Sequence, residues 1–96
     1  MIYIYGLKDP RNNEIRYVGK SINPTLRYSE HIHEKKTNKE KMEWLKDLSD
    51  NGAKPELVIL ETIGEDVDWQ EREKYWIAFG YESNWRLTNI ASGGKA

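Results

Sequence analysis

The chain has 96 residues, with 15 Lys and Arg against 16 Asp and Glu, a formal net charge of −1 and no cysteine. That length allows one small domain, and the missing cysteine excludes a disulfide framework, a thiolate-held zinc and an iron–sulfur cluster. No apolar run approaches the roughly 18 residues of a membrane span and Met1 is not followed by a signal-peptide pattern, so a soluble, cytoplasmic protein is expected. A chain this short buries only about 60–65% of its unfolded surface, so large aromatics must fill a thin core and its four Trp are expected inside rather than on a base-stacking surface. A charge near zero argues against nucleic acid as a partner, because such domains are usually basic. The sum conceals an asymmetry, however. Residues 1–41 hold nine Lys/Arg and five Asp/Glu, whereas residues 42–96 hold six and eleven. A basic first half can present one positive face, although two ordinary solvated faces would give the same counts.

Met1 to Leu7 is apolar on both faces and rich in β-branched and aromatic residues, which suits a central strand. Asp9-Pro10 fits the first two positions of a type I turn, and Asn12 suits the left-handed residue that closes a three-residue hairpin loop. Glu14 to Lys20 is the returning strand, so residues 1–20 form a hairpin. If Asp9 pairs with Asn13, Tyr5 lies directly opposite Tyr17 on one face of the sheet. Asn23-Pro24 opens a helix to about His33, with Asn as N-cap and Pro at the first helical position. Arg27 and His31 then share one helical face. Thr37-Asn38 starts a second helix carrying Met42, Trp44, Leu45 and Leu48, and Asn51-Gly52 ends it, so residues 23–50 hold two helices. Residues 55–62 read as a third strand. Asp66 or Asp68 caps a third helix over 66–80, and residues 81–96 read as an irregular tail. The expected fold class is α/β in the α+β sense: a small, mainly antiparallel three-stranded sheet flanked by helices, in the order β-β-α-α-β-α.

The third helix contains one residue at odds with its surroundings. Trp69, Arg72, Glu73, Trp76 and Ile77 recur at the spacing of a core-facing stripe, and Glu73 sits between the two tryptophans. Burying a carboxylate is expensive unless something compensates it. The compensation is a salt bridge to Arg72 or Arg27, a divalent cation at the mouth of a cleft, or a rotation that leaves Glu73 at the stripe's wet edge. The residues alone leave all three open.

Taken together, these motifs resemble the GIY-YIG endonuclease superfamily. Ile4-Tyr5 and, after the hairpin, Tyr17-Val18-Gly19 look like the paired motifs that name it. Arg27 and His31 match its helical Arg and the His one turn later, Glu73 its metal-binding Glu, and Asn89 its late Asn. The resemblance covers essentially the whole chain. Arg16 to Lys20 with Asn23-Pro24, and Thr88-Asn89 with Gly93-Gly94, look most like phage and bacterial members related to homing endonucleases. Two departures stand out. Tyr3 occupies a position where the family usually has Gly, and where some relatives carry a second His this chain offers Lys39 or Thr37.

The resemblance implies a phosphodiester hydrolase acting on DNA with Mg²⁺ or Mn²⁺. It implies that Glu73 holds the metal and that Arg27 binds the scissile phosphate, as guanidinium geometry allows. Tyr5 is then the general base or water-positioner, and Tyr17 orients water or phosphate. His31 moves a proton or contacts phosphate, and Asn89 braces the site. Lys20 and Lys39 are candidate phosphate contacts. Each residue also has a plainer reading: a surface Arg27, an exposed His31, a strand-end Lys20, an Asn89 that tethers a loop. A rival class is an inactive nucleic-acid-binding or partner-binding module on the same fold. A separate DNA-recognition region has no room in these 96 residues, so target recognition is expected from a homodimer, a partner, or a separate recognition domain if these residues are the catalytic module of a longer protein, in a bacterial host or phage-infected cell.

Overall fold

The computed structural model describes residues 1–33 and 38–89, so Thr37 and Gly93-Gly94 lie outside the described residues. The chain forms β1 (Ile2–Asp9), β2 (Glu14–Ser21), α1 (Pro24–His33), α2 (Lys39–Asp50), β3 (Glu56–Ile63) and α3 (Trp69–Glu82), an α+β fold in the order β-β-α-α-β-α. The sheet is antiparallel with strand order β2-β1-β3. The central strand, β1, buries Ile4, Tyr5, Gly6 and Leu7 in succession, as a strand covered on both faces must. On one face Ile4, Ile15, Val18 and Ile63 pack with Ile77 of α3 and with Leu87, and Trp69, Trp76 and Trp85 close around them. On the other face Tyr5 and Leu7 pack with Trp44 and Leu48 of α2, flanked by Tyr17 and Tyr28. Two thin half-cores thus sandwich the sheet. At about 1.5–3 kcal/mol for each large apolar side chain removed from water, both are needed to hold so small a domain. Among the described residues, no helix is long and apolar enough to cross a membrane.

The helix starts follow the expected chemistry. Asn23 Oδ1 accepts from the Leu26 N–H, Asn38 Oδ1 from Lys41 N–H, and Asp68 rather than Asp66 caps α3 by accepting from Gln70 N–H. Gly52, at φ 69°, follows α2 in the left-handed region, which glycine enters without any Cβ penalty. The third helix runs past Gly80 to Glu82, because Gly80 serves a close approach and not a stop. A Cβ there would lie 2.6 Å from Trp85 and 2.9 Å from Leu87, where the chain folds back over α3.

The hairpin register differs from the expected one. Asn13, not Asn12, adopts the left-handed conformation (φ 61°), and Asp9 pairs with Glu14. Asp9 is buried and gathers its own turn. It accepts from the Arg11 backbone, from Arg11 Nε and NH2, and from Trp44 Nε1. These bonds lengthen the loop by one residue, and a bulge between Leu7 and Lys8 then moves the register by one more. Tyr5 is therefore opposite Gly19, and Tyr17 is opposite Leu7. The two slips sum to an even number, so Tyr5 and Tyr17 stay on one face.

Candidate active site

A cleft of about 480 Å³ opens along β2, lined by Tyr5, Tyr17, Gly19, Lys20, Ser21, Ile22, Arg27 and Glu73. Because β2 is an edge strand, α1 can reach the cleft from one face of the sheet and α3 from the other. Tyr5 and Tyr17 point toward α1, with ring centroids 6.4 Å apart. The Tyr5 ring crosses directly over Gly19, where a Cβ would lie 2.7 Å from Tyr5 Oη, 2.8 Å from Tyr5 Cζ and 3.0 Å from Tyr17 Cε2. Glycine at position 19 is thus what lets the phenol reach the cleft.

Behind the tyrosines lies a buried polar line. Tyr5 Oη is 2.6 Å from His31 Nε2, and His31 Nδ1 is 2.5 Å from Lys41 Nζ. All three side chains are almost fully buried. The Lys41 ammonium also lies 4.2 Å from the Tyr17 ring centroid, and His31 meets that ring edge-on at 5.1 Å. His31 is therefore not an exposed helix histidine.

Glu73 enters from the opposite face. Neither arginine considered as its bridge goes to it: Arg72 Nε binds both oxygens of Glu61 on β3, at 2.9 and 3.0 Å. Arg27 pairs with Glu30 at 3.2 Å. With Trp76 Nε1 also donating to Glu61 at 2.8 Å, Arg72 and Trp76 commit their side of α3 to β3. Glu73 is left facing β2, with no hydrogen bond or ion pair to it among the described residues. Burial raises its carboxyl above the usual value, and the charge of Lys20 opposes that rise. Lys20 itself lies 4.2 Å over the Trp69 ring, which holds it at the cleft. Arg27 is partly exposed and its pair with Glu30 is a surface pair of small worth, so that partner holds it only weakly.

A carboxylate of this kind fits a hard divalent cation: it is half-buried, has no direct hydrogen bond or ion pair among the described residues, and faces open space. No group of three or more His, Asp or Glu is arranged to hold a metal among the described residues. Glu73 would therefore supply one ligand, with water and substrate oxygens completing the shell.

Asn89 lies behind β2. Its Oδ1 accepts from the Val18 N–H at 3.0 Å and its Nδ2 donates to the Val18 carbonyl at 2.9 Å. Thr88 N–H and Oγ1 donate to the Arg16 carbonyl. This segment satisfies the outer edge of β2 as a short strand would, fixing the backbone between Tyr17 and Gly19. Lys39, the first residue of α2, is exposed and is not among the residues lining the cleft. Tyr3 is partly buried in β1.

Lys41 is a buried site residue that the motifs do not include, although the helical pattern marks it. Lys41, Trp44, Leu45 and Leu48 share a face of α2, so Lys41 stands in an apolar stripe just as Glu73 does on α3.

A family model described as the GIY-YIG catalytic domain matches residues 1–79. The matched span includes Tyr5, Tyr17, Arg27, His31, Lys41 and Glu73, and Asn89 lies beyond it. No curated protein and no solved structure matches the chain.

Proposed function

The chain belongs to the GIY-YIG catalytic domain family, and on that premise we propose that it is a DNA endonuclease that needs Mg²⁺ or Mn²⁺ and hydrolyses phosphodiester bonds. The observation that carries this reading is the meeting, in one cleft, of Tyr5, Tyr17 and Arg27 with a half-buried Glu73 that has no direct ion pair among the described residues. The structural reading of Glu73 as one half of a salt bridge loses its candidates, because Arg72 binds Glu61 and Arg27 binds Glu30.

Hydrolysis requires a water to lose a proton as its oxygen attacks phosphorus, while the opposite P–O bond breaks and the departing oxygen gains a proton. Arg27 binds and orients the phosphate through its two-pronged guanidinium, and Lys20 adds positive charge at the rim. Tyr5, as the phenolate, takes the proton of the attacking water, and Tyr17 holds that water or a phosphate oxygen through its hydroxyl. His31 keeps Tyr5 in place by its hydrogen bond. Glu73 is the residue that would hold the divalent cation. When bound, the metal supplies positive charge that stabilises the phosphate in the transition state and the leaving oxygen. Asn89 keeps the Tyr17–Gly19 backbone in register from behind.

The finer assignments are part of the same proposal. Motifs along β2 and at the start of α1 favour a relative of phage and bacterial homing endonucleases, acting in the cytoplasm of a bacterial or infected cell. A homodimer or a separate recognition partner would choose the target, since a nearly neutral chain has weak non-specific attraction for DNA. The test is incubation of supercoiled plasmid with chelator-treated protein, with and without Mg²⁺ or Mn²⁺. Nicked or linear product appearing only with metal is expected. Binding without cleavage under every metal condition would favour the inactive nucleic-acid-binding module instead.

A further inference from the structure

Lys41 is 1% exposed and His31 0%, and a buried ammonium persists only where its surroundings hold it. Here one face of the ammonium rests on the Tyr17 ring and its Nζ contacts His31 Nδ1. Lys41, His31 and Tyr5 thus form a single chain of contacts from α2 through α1 to β1.

The direction of that chain follows from donor counting. An ammonium has three N–H donors and no lone pair, and a neutral imidazole has one donor nitrogen and one acceptor. Contact with Lys41 makes Nδ1 the acceptor, which places the ring proton on Nε2. The Nε2–H then donates to Tyr5 Oη. With the opposite tautomer, Nε2 would accept the phenolic proton and hold Tyr5 as a donor, the wrong role for a group that must take a proton from water.

We propose that Lys41 is a positioning residue whose buried ammonium fixes His31 in the Nε2–H tautomer and thereby keeps the Tyr5 oxygen in the accepting role. The tautomer is a property of the folded chain, and its catalytic consequence rests on the nuclease reading given above. Such an arrangement is the inverse of a carboxylate that orients a histidine by accepting from Nδ1–H. It also accounts for a lysine in the apolar stripe of α2, where Met or Leu would pack without any charge to bury.

The test is long-range ¹H–¹⁵N correlation spectroscopy on the whole 96-residue chain labelled at histidine, with His33→Asn used to assign the two rings. Wild-type protein at neutral pH is expected to show His31 as the neutral Nε2–H tautomer. Lys41→Met should lose that preference and Lys41→Arg should retain it. In plasmid cleavage, Lys41→Met should lower the rate at saturating DNA by at least about 10²-fold, with the half-saturating DNA concentration near that of wild type, and Lys41→Arg should recover much of the loss. A wild-type His31 found as Nδ1–H or as imidazolium overturns the assignment. So does a Lys41→Met protein that keeps the Nε2–H form. If Lys41→Met does not fold, the wild-type spectrum alone decides. If wild-type protein fails to cleave DNA, the nuclease reading falls while the spectrum still decides the role of Lys41.

Discussion

Tyr5 Oη and His31 Nε2, 26 residues apart in the chain, lie 2.6 Å from each other between the central strand and α1. Because the contact is buried, water does not compete for it, and the phenol is held at one point of the cleft wall. Tyr5→Phe removes only the oxygen and keeps the ring that crosses Gly19. The variant is expected to fold, to bind DNA as wild type does, and to cleave about 10²–10⁴-fold more slowly, the range of a single positioned base. Single-turnover cleavage beside a DNA-binding titration separates the two effects.

Gly19→Ala is expected to be as damaging although it removes no chemical group. The new Cβ would stand 2.7 Å from Tyr5 Oη and 2.8 Å from Tyr5 Cζ, and the ring is packed between strand and helix and has little room to retreat. Overpacking of this kind costs about 1–3 kcal/mol, and the displaced phenol should lose its contact with His31. Urea unfolding and plasmid cleavage measured together check both parts.

Much of the fold could be read from residue patterns, and the failures are local. Asn23, Asn38 and Asp68 mark the three helix starts by side-chain chemistry that acts within three residues, so the sequence displays it directly. The hairpin register depends on Asp9 collecting Arg11 and Trp44, and Trp44 comes from another element 35 residues away. No local turn rule contains that partner. Glu73 was conspicuous as a charge in an apolar stripe, but its environment turned on where Arg72 went. Arg72 chose Glu61, on a strand whose placement against α3 only the assembled sheet fixes. Lys41 obeys the same stripe rule as Glu73, but no motif includes it, and its burial against His31 joins two helices that are separate in the sequence.

The network around Asp9 should govern acid stability. Hydrogen bonds from Arg11, with a further one from Trp44, hold the Asp9 carboxyl far below the usual carboxylate range. A carboxyl with a lowered folded-state value contributes stability that is complete above its unfolded value, about 3.9. The contribution is lost as pH falls from there toward the folded value. Asp9→Asn is expected to destabilise the protein by about 1–3 kcal/mol at pH 7, the worth of charge-assisted hydrogen bonds to a buried group. The gap between variant and wild type should narrow steadily in unfolding curves taken below pH 4. An unchanged gap at pH 3 would assign the effect to packing alone.

Glu73 should behave in the opposite sense. Burial raises its carboxyl above the unfolded value, so its contribution is fully present at low pH and declines as pH rises through the folded value. Without added metal, Glu73→Gln is expected to melt at a higher temperature than wild type at pH 7, with the difference vanishing at the acid end. Millimolar Mg²⁺ or Mn²⁺ should raise the melting temperature of wild type by mass action and leave the Gln variant unmoved. Thermal unfolding across pH, with and without metal, reads both effects.

The most direct test of a metal-assisted cleavage site is a three-way comparison on supercoiled plasmid with Mg²⁺: wild type, Tyr5→Phe and Glu73→Ala, each also titrated for DNA binding. Wild type should cut, and both variants should bind DNA with near wild-type affinity while cleaving at least about 10²-fold more slowly. Cleavage that survives in Glu73→Ala, or that proceeds equally well in the presence of a chelator, would contradict the assignment of Glu73 and the metal to the reaction.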